Sequence, residues 1–321
     1  MTSSLTNQPE SSPSESTLAA TIDTASILCF NANDPSGAGG TNADALAVAS
    51  MGGHPCTVVT GALIRDTLDT IDFYALPDDA VQQQAQTVLQ DIPIRAIKLG
   101  FLGSIENVRV CAEVTIDYPD LPVVAYVTGM AWWDSELIDD YLDAYQELLL
   151  PQVTVLVGAY GLLWRWLLPD RTSEHRPSPR DIAKAAAEHG VPFVLVTGIP
   201  THDQHVENVL ASADTIYGSG EFELFETEYI GAGDTLSAAL TALLATEVPL
   251  SDATAEAMTY LDKCLEGGLR PGMGKTIPDR LFWVHADDED EEEAGEEAGE
   301  EEPEDADGTA GSTQNLRNTL Q

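Results

Sequence analysis

Gly231-Ala-Gly-Asp234 is the stretch of this chain with the plainest chemical content. A loop poor in side chains that feeds a helix presents several backbone N–H groups and the positive end of the helix dipole. That arrangement holds an anion, most often phosphate. A carboxylate in the first turn of the helix sits where it could take a proton from a hydroxyl attacking the phosphate. The same residues would equally make a capped helix after a glycine turn, with Asp234 as the N-cap. A second loop, Asn31-Ala-Asn-Asp-Pro-Ser-Gly-Ala-Gly-Gly40, follows an apolar run at 26–30 and precedes helical spacing over 41–51. Strand, glycine-rich loop and helix form the layout of a ligand-binding βα crevice. The loop has neither the lysine of a P-loop nor the dinucleotide fingerprint. Arg65 and Asp66 follow a strand at 56–62, at the end where open α/β sheets place ligand groups.

These groups need a scaffold, and the chain spells one out. Strands are expected at 26–30, 56–62, 96–99, 121–127, 153–157 and 193–197. Helices are expected at 41–51, 81–90, from Ser104 onward, 134–149 and 181–189. This alternation predicts an α/β fold, a doubly wound, mostly parallel sheet with helices on both faces. A hairpin is expected from 215–217 to 222–225 across Gly218-Ser-Gly220, then helices at 234–245 and 251–266. Residues 1–24 read as a disordered leader, 25–286 as the folded domain and 287–321 as a disordered acidic tail.

Composition narrows the function classes. The net charge is −40, and the fifteen acids of 287–307 account for part of it, leaving −25 on the rest. An acidic, lysine-poor surface suits a protein working in high salt, where screening removes self-repulsion; an ordinary acidic protein with an acidic tail is the alternative. No basic patch exists, so nucleic acid and anionic membranes are not expected partners. No apolar run reaches membrane-spanning length. The four cysteines have neither metal nor disulfide spacing, which suits the reducing cytoplasm. His202 and His205 have the only ligand-like histidine spacing, in a segment read as loop, with too few further ligands for a metal site.

Asp34-Pro-Ser-Gly-Ala-Gly-Gly-Thr-Asn-Ala-Asp44 resembles the signature of the hydroxymethylpyrimidine/phosphomethylpyrimidine kinases, ribokinase-like enzymes of thiamine biosynthesis. Ile97-Lys-Leu-Gly-Phe-Leu-Gly-Ser104, Leu148-Leu-Leu-Pro151, Gly231-Ala-Gly-Asp234 with Leu236-Ser-Ala-Ala239, and Pro271-Gly-Met-Gly274 are similar to further motifs of that family. The resemblance spans about 26–284. It implies a ribokinase-like fold and a kinase that uses ATP and Mg²⁺ on a small pyrimidine. It implies Asp234 as the catalytic base and the N–H groups of Gly231, Ala232 and Gly233 as the anion hole. Asn33, Asp34 and Gly39 would line the substrate pocket. Arg65 stands where the family has a glutamine that reads the pyrimidine edge, and Phe101 where it has a methionine packing on the ring. Ribokinase-like proteins often dimerise, and exposed Trp132, Trp133, Trp164 or Trp166 would favour a homodimer.

The chain also departs from the pattern. Tyr126 and Val127 stand at the family's Asp-Pro, and the run from Val157 to Leu162 has neither the asparagine nor the glutamate that helps order magnesium. Thr197-Gly-Ile-Pro200 replaces Lys-Gly-Gly-His or Thr-Gly-Gly-His. Three functions therefore stay open on sequence: the pyrimidine kinase, a non-catalytic paralogue that senses or binds a ligand, and a kinase of altered specificity such as pyridoxal kinase. An open cleft shared by the Gly231 loop and Asp34 would favour catalysis, and a loop plugged by Trp164 or Trp166 would not.

Overall fold

The structure, a computed structural model, describes residues 24–171, 176–202 and 204–284. The chain divides into two units, Met1–Arg280 and Leu281–Gln321. Of the second unit the described residues form one turn, closed by the Val284 N–H on the Leu281 carbonyl at 2.8 Å. The expected acidic tail at 287–321, and all of the expected leader except Thr24, lie outside the described residues.

In the first unit the apolar run Ser-Ile-Leu-Cys-Phe-Asn-Ala-Asn becomes strand β1 (Ser26–Asn33), buried along all but its last residue. A strand covered on both faces reads as a continuous hydrophobic run, and it belongs in the middle of a parallel sheet. β1 pairs in parallel with β2 (His54–Arg65) on one side and β4 (Ile94–Leu99) on the other. The sheet continues in parallel through β5 (Val123–Val127), β6 (Val155–Ala159) and β7 (Phe193–Pro200). Three antiparallel strands flank it: β3 (Thr70–Ala75) beside β2, and β8 (His205–Ala211) with β9 (Ile216–Glu223) beyond β7. The order is β3-β2-β1-β4-β5-β6-β7-β8-β9, so the winding reverses between β1 and β4. Open α/β sheets bind ligands at the carboxyl ends of the strands flanking such a reversal.

Helices form two layers. α1 (Gly40–Ser50) packs on α7 (Ala232–Ala245), which packs on α8 (Leu250–Glu266). α2 (Asp78–Asp91), α3 (Ile105–Asp117) and α4 (Ser135–Ala144) form a second series, with α5 (Tyr160–Leu167) against α6 (Pro179–Glu188). Caps fix several starts. The Ser104 hydroxyl accepts the Asn107 N–H at 3.1 Å, and Ser178 and Asp181 form a reciprocal capping box.

The doubly wound fold matches the expectation, and four elements differ from it. Residues 216–223 form one continuous strand, β9, where a hairpin was expected. Its partner is β8, so Gly218 and Gly220 sit within a strand and pair with Leu210 and Asn208. His205 therefore begins a strand and does not lie in a loop. β3 was missed because its side chains are mostly exposed and give no apolar run. Tyr160–Leu167, where no element was expected, is helix α5. The helix expected over 134–149 widens into a π-helical turn at Tyr145–Leu149 and then tightens into a 3₁₀ turn at Leu150–Gln152. Trp132, Trp133, Trp164 and Trp166 are partly buried against the core, so the exposed-aromatic argument for a homodimer has no footing in them.

Candidate active site

Asp234 is not the cap of α7. Gly231 is, in the left-handed region at φ 89°, with no side-chain cap bond. A Cβ on Gly231 would come within 1.6 Å of the Ala38 carbonyl oxygen, so this residue needs both the conformational freedom and the missing side chain. The cap leaves Asp234 in the first turn of α7, free to face the sheet.

There it meets a buried charge cluster at the β1/β4 reversal. Lys98, on β4 and fully buried, places Nζ 2.8 Å from Asp234 Oδ1 and 2.7 Å from Asp44 Oδ1. Asn31, on β1, donates its amide N–H groups to Asp44 Oδ2 at 2.9 Å and Asp234 Oδ1 at 2.8 Å. Its carbonyl oxygen accepts the N–H groups of Ala32 and Phe101. Asp234 Oδ2 accepts the Gly40 N–H at 3.2 Å, and the side chain stays 13 % exposed toward the cavity. Lys98 is thus the buried partner of both Asp234 and Asp44.

These contacts set the ionisation. Burial works to raise the pKa of Asp234, but the Lys98 charge and the hydrogen bonds from Lys98, Asn31 and Gly40 outweigh it and hold the carboxyl below its usual range. Burial pushes Asp44 up to about 6, against Lys98 and with help from the Asp234 charge. The Lys98 ammonium is held protonated, its two carboxylates overcoming its desolvation. Tyr126, buried and near Asp234, is pushed up to about 12 and is a neutral phenol at working pH.

The cluster opens into a cavity of about 480 Å³. Of the expected site residues, Asp34, Gly39, Arg65, Phe101, Gly231 and Asp234 line it together. Asn33 ends β1 and does not line it; Asn31 does. Ala232 is not on the wall either, and Gly233 lies under Tyr126, whose ring atoms are 2.2–2.4 Å from where a Cβ would stand. Asp34 is fully buried. Its Oδ1 accepts from the Ser36 N–H and hydroxyl, and its Oδ2 accepts from the Gly39 N–H and faces Arg65 Nη1 at 3.5 Å. With both oxygens engaged, Asp34 orders the loop and holds Arg65, and Arg65 is the charged member of the pair at the cavity surface. Trp164 and Trp166 do not line the cavity.

The fold adds residues that sequence reasoning missed. Trp132 joins the wall, with its ring 5.6 Å from that of Phe101 at 72°. Lys275, just beyond Pro271-Gly-Met-Gly274, lines the mouth and pairs with Glu228 at 3.2 Å. The only sequence signal for Lys275 was its scarcity as one of four lysines. On the far side of Tyr229 lies a second cavity of about 500 Å³, walled mainly by Phe222, Leu224, Phe225, Met258 and Leu261. The segment Tyr229–Gly231 separates the two.

The described residues form no ready-made cage for magnesium. Among the described residues no group of three His, Cys, Asp or Glu could hold a metal ion. Asp44 is committed to Lys98 and Asn31, Asp34 to its loop and Arg65, and Tyr126 offers a neutral hydroxyl.

Comparison with known proteins identifies the family and the fold. A family model described as phosphomethylpyrimidine kinase matches residues 34–279. The hydroxymethylpyrimidine/phosphomethylpyrimidine kinase of Mycobacterium tuberculosis is 29 % identical over 268 residues, covering 80 % of this chain and 94 % of that one. The enzyme of the same name from Haemophilus influenzae is 25 % identical, covering 77 % and 93 %. Among solved structures, an ADP complex of Bacillus subtilis pyridoxal kinase superposes with a TM-score of 0.71 at 22 % identity, over 81 % of this chain and 99 % of that one. The phosphomethylpyrimidine kinase of Clostridium difficile gives 0.62 at 19 % identity, over 75 % and 100 %. The fold is therefore ribokinase-like, and with the family model spanning most of its length the chain belongs to the phosphomethylpyrimidine kinase family.

Proposed function

We propose that this protein phosphorylates hydroxymethylpyrimidine, its monophosphate, or both, from ATP, in thiamine biosynthesis. The observation that carries the reading is an ionised Asp234 with one oxygen facing an open cavity at the N-terminus of α7. The acceptor ring would sit in the 480 Å³ cavity, against Phe101 and Trp132, with Arg65 at its edge. An aromatic wall supports a flat heterocycle. The nucleotide would supply the phosphoryl group, and its base fits the apolar 500 Å³ cavity beyond Tyr229.

Asp234 Oδ2 has acceptor capacity left after the Gly40 bond and would receive the proton of the acceptor hydroxyl. Lys98 and Asn31 hold the other oxygen, so the carboxylate cannot rotate away. The N–H groups at the start of α7 and the helix dipole would stabilise the transferring charge. Lys275 at the cavity mouth adds a cation there. With no ready-made magnesium cage among the described residues, a Mg²⁺ delivered with ATP would be held chiefly by the nucleotide phosphates and water.

The charge excess supports work at high salt, and four buried free cysteines support a reducing, cytoplasmic setting. No helix among the described residues is long and apolar enough to cross a membrane.

The test is phosphoryl transfer from Mg-ATP to hydroxymethylpyrimidine and to its monophosphate, in low and in molar KCl. Turnover that falls by about two orders of magnitude or more in a folded Asp234→Asn variant is the expected result. No turnover on either acceptor in either salt would overturn the proposal in favour of a binding protein. Turnover on pyridoxal alone would reassign the substrate.

A further inference from the structure

Arg280 is the last residue of the first unit, only 3 % exposed, and no described carboxylate makes an ion pair with it. An arginine cannot shed its charge, so a buried guanidinium with no carboxylate in direct contact is a costly feature to keep. Its hydrogen bonds run to two separate loops. Nε donates to the Thr235 hydroxyl at 2.9 Å, in the first turn of α7, and Thr235 in turn donates to the Gly231 carbonyl at 2.9 Å. Nη1 donates to the Gly37 carbonyl at 3.2 Å, and Nη2 donates to the Ala38 carbonyl. Gly37 and Ala38 belong to the loop whose next residue, Gly39, lines the acceptor cavity. Nη2 also stands 2.8 Å from where a Gly231 Cβ would be, directly against the cap of α7. The backbone of Arg280 is itself fixed, its carbonyl accepting from the hydroxyls of Ser50 on α1 and Tyr260 on α8.

One side chain therefore ties the acceptor loop to the phosphoryl loop, from a backbone anchored on two helices. Its charge lies behind a helix N-terminus that is already positive. Asp234 is the leading negative charge acting on Arg280, with Asp44 behind it, and the two adjacent positive features favour the negative charge that arrives in front of them. We infer that Arg280 is a positioning residue for phosphoryl transfer, which locks the Gly37–Gly39 loop onto the N-terminus of α7 and lends its charge to the anion hole. The inference rests on the kinase reading above. It assigns Arg280 no contact with substrate; the guanidinium acts through the two loops and through its field.

The experiment compares Arg280→Gln and Arg280→Lys with the wild type in the full chain. Thermal melting establishes folding, and the readouts are kcat, both KM values, and binding of ADP with and without fluoroaluminate, a mimic of the transferring phosphoryl group. For Arg280→Gln the expected result is a kcat loss of about 100-fold, the scale of a lost electrostatic stabiliser. The KM for ATP and the affinity for ADP alone stay near wild type, while the gain in ADP affinity from fluoroaluminate largely disappears. Arg280→Lys restores part of that gain, because the charge returns without the three-point fork. A folded Arg280→Gln with wild-type kcat, or one whose ADP affinity falls as far as its affinity for the mimic, would overturn the inference. If the glutamine variant does not fold, Arg280→Lys decides. A kcat loss above about 10-fold at unchanged ADP affinity supports the fork, and wild-type kinetics overturn it. The fluoroaluminate arm needs no acceptor, so failure of the acceptor assignment and failure of the Arg280 assignment are separately visible.

Discussion

Replacing Lys98 by methionine tests the electrical design of the site. Methionine keeps most of the aliphatic stem, so the change removes a charge more than a volume. In the wild type, Nζ lies 2.7 and 2.8 Å from two carboxylates in a fully buried position. An opposite charge at about 4 Å is worth about 4 kcal/mol at an effective dielectric of about 20. Without it, Asp44 and Asp234 face each other across Asn31, and two such groups cannot both stay ionised. Asp44, which stands at about 6 even beside the lysine, takes the proton first. That relieves part of the repulsion, and the net effect on Asp234 is a rise of about 2 pH units in the acid limb of kcat/KM. The stability loss near pH 7 should be about 3–5 kcal/mol, the range for breaking a buried ion pair. The sign of its pH dependence follows from Asp44. A carboxyl whose folded pKa is raised contributes stability that is present below its unfolded value and lost as pH rises toward the folded one; without the Lys98 charge that lowers it, Asp44 in the variant lies above the wild-type value of about 6, so the loss extends above pH 6. Lys98→Met should therefore recover on acidification toward pH 5 and weaken above pH 6. The double variant Asp44→Asn/Lys98→Met leaves a single buried carboxylate and should be more stable than Lys98→Met alone. A coupled assay of ADP release across pH, with urea melts at pH 5 and pH 7.5, measures both. A folded Lys98→Met whose acid limb coincides with the wild type, or a double variant no more stable than the single one, would refute the reasoning.

Two further outcomes are expected. Gly231→Ala meets both a left-handed backbone and the Ala38 carbonyl at 1.6 Å, so it should lose about 3 kcal/mol in urea unfolding and most of its turnover; a variant with wild-type stability would show that the cap relaxes freely. Raising KCl from about 0.1 to about 2 M should lift the thermal midpoint by several degrees, because the Debye length falls to about 3 Å at 1 M and repulsion within a chain of net charge −40 is screened. A midpoint independent of salt would assign the acidity to another cause.

The amino-acid sequence by itself determined the doubly wound fold, through apolar runs at strand length alternating with helical spacing. It also determined the family and the pairing of an anion-binding loop with a carboxylate, because those signals are local: Gly231-Ala-Gly-Asp234 carries its meaning in four consecutive residues. Local pattern failed where partners decide the structure. β9 looked like a hairpin because Gly218 and Gly220 are turn residues in isolation, yet pairing with β8 draws them into one strand. Asp234 was open between helix cap and base until Gly231 took the left-handed cap position and turned the carboxylate toward the sheet. Lys98 carried no such signal because nothing near it in sequence neutralises it. Asp44 and Asp234, 54 and 136 residues away, do so only when β4 lies beside β1 under α1 and α7. Burial makes that cluster chemically specific, since charges this close interact strongly only once water is excluded, and exclusion of water is a property of the packed structure and not of any segment.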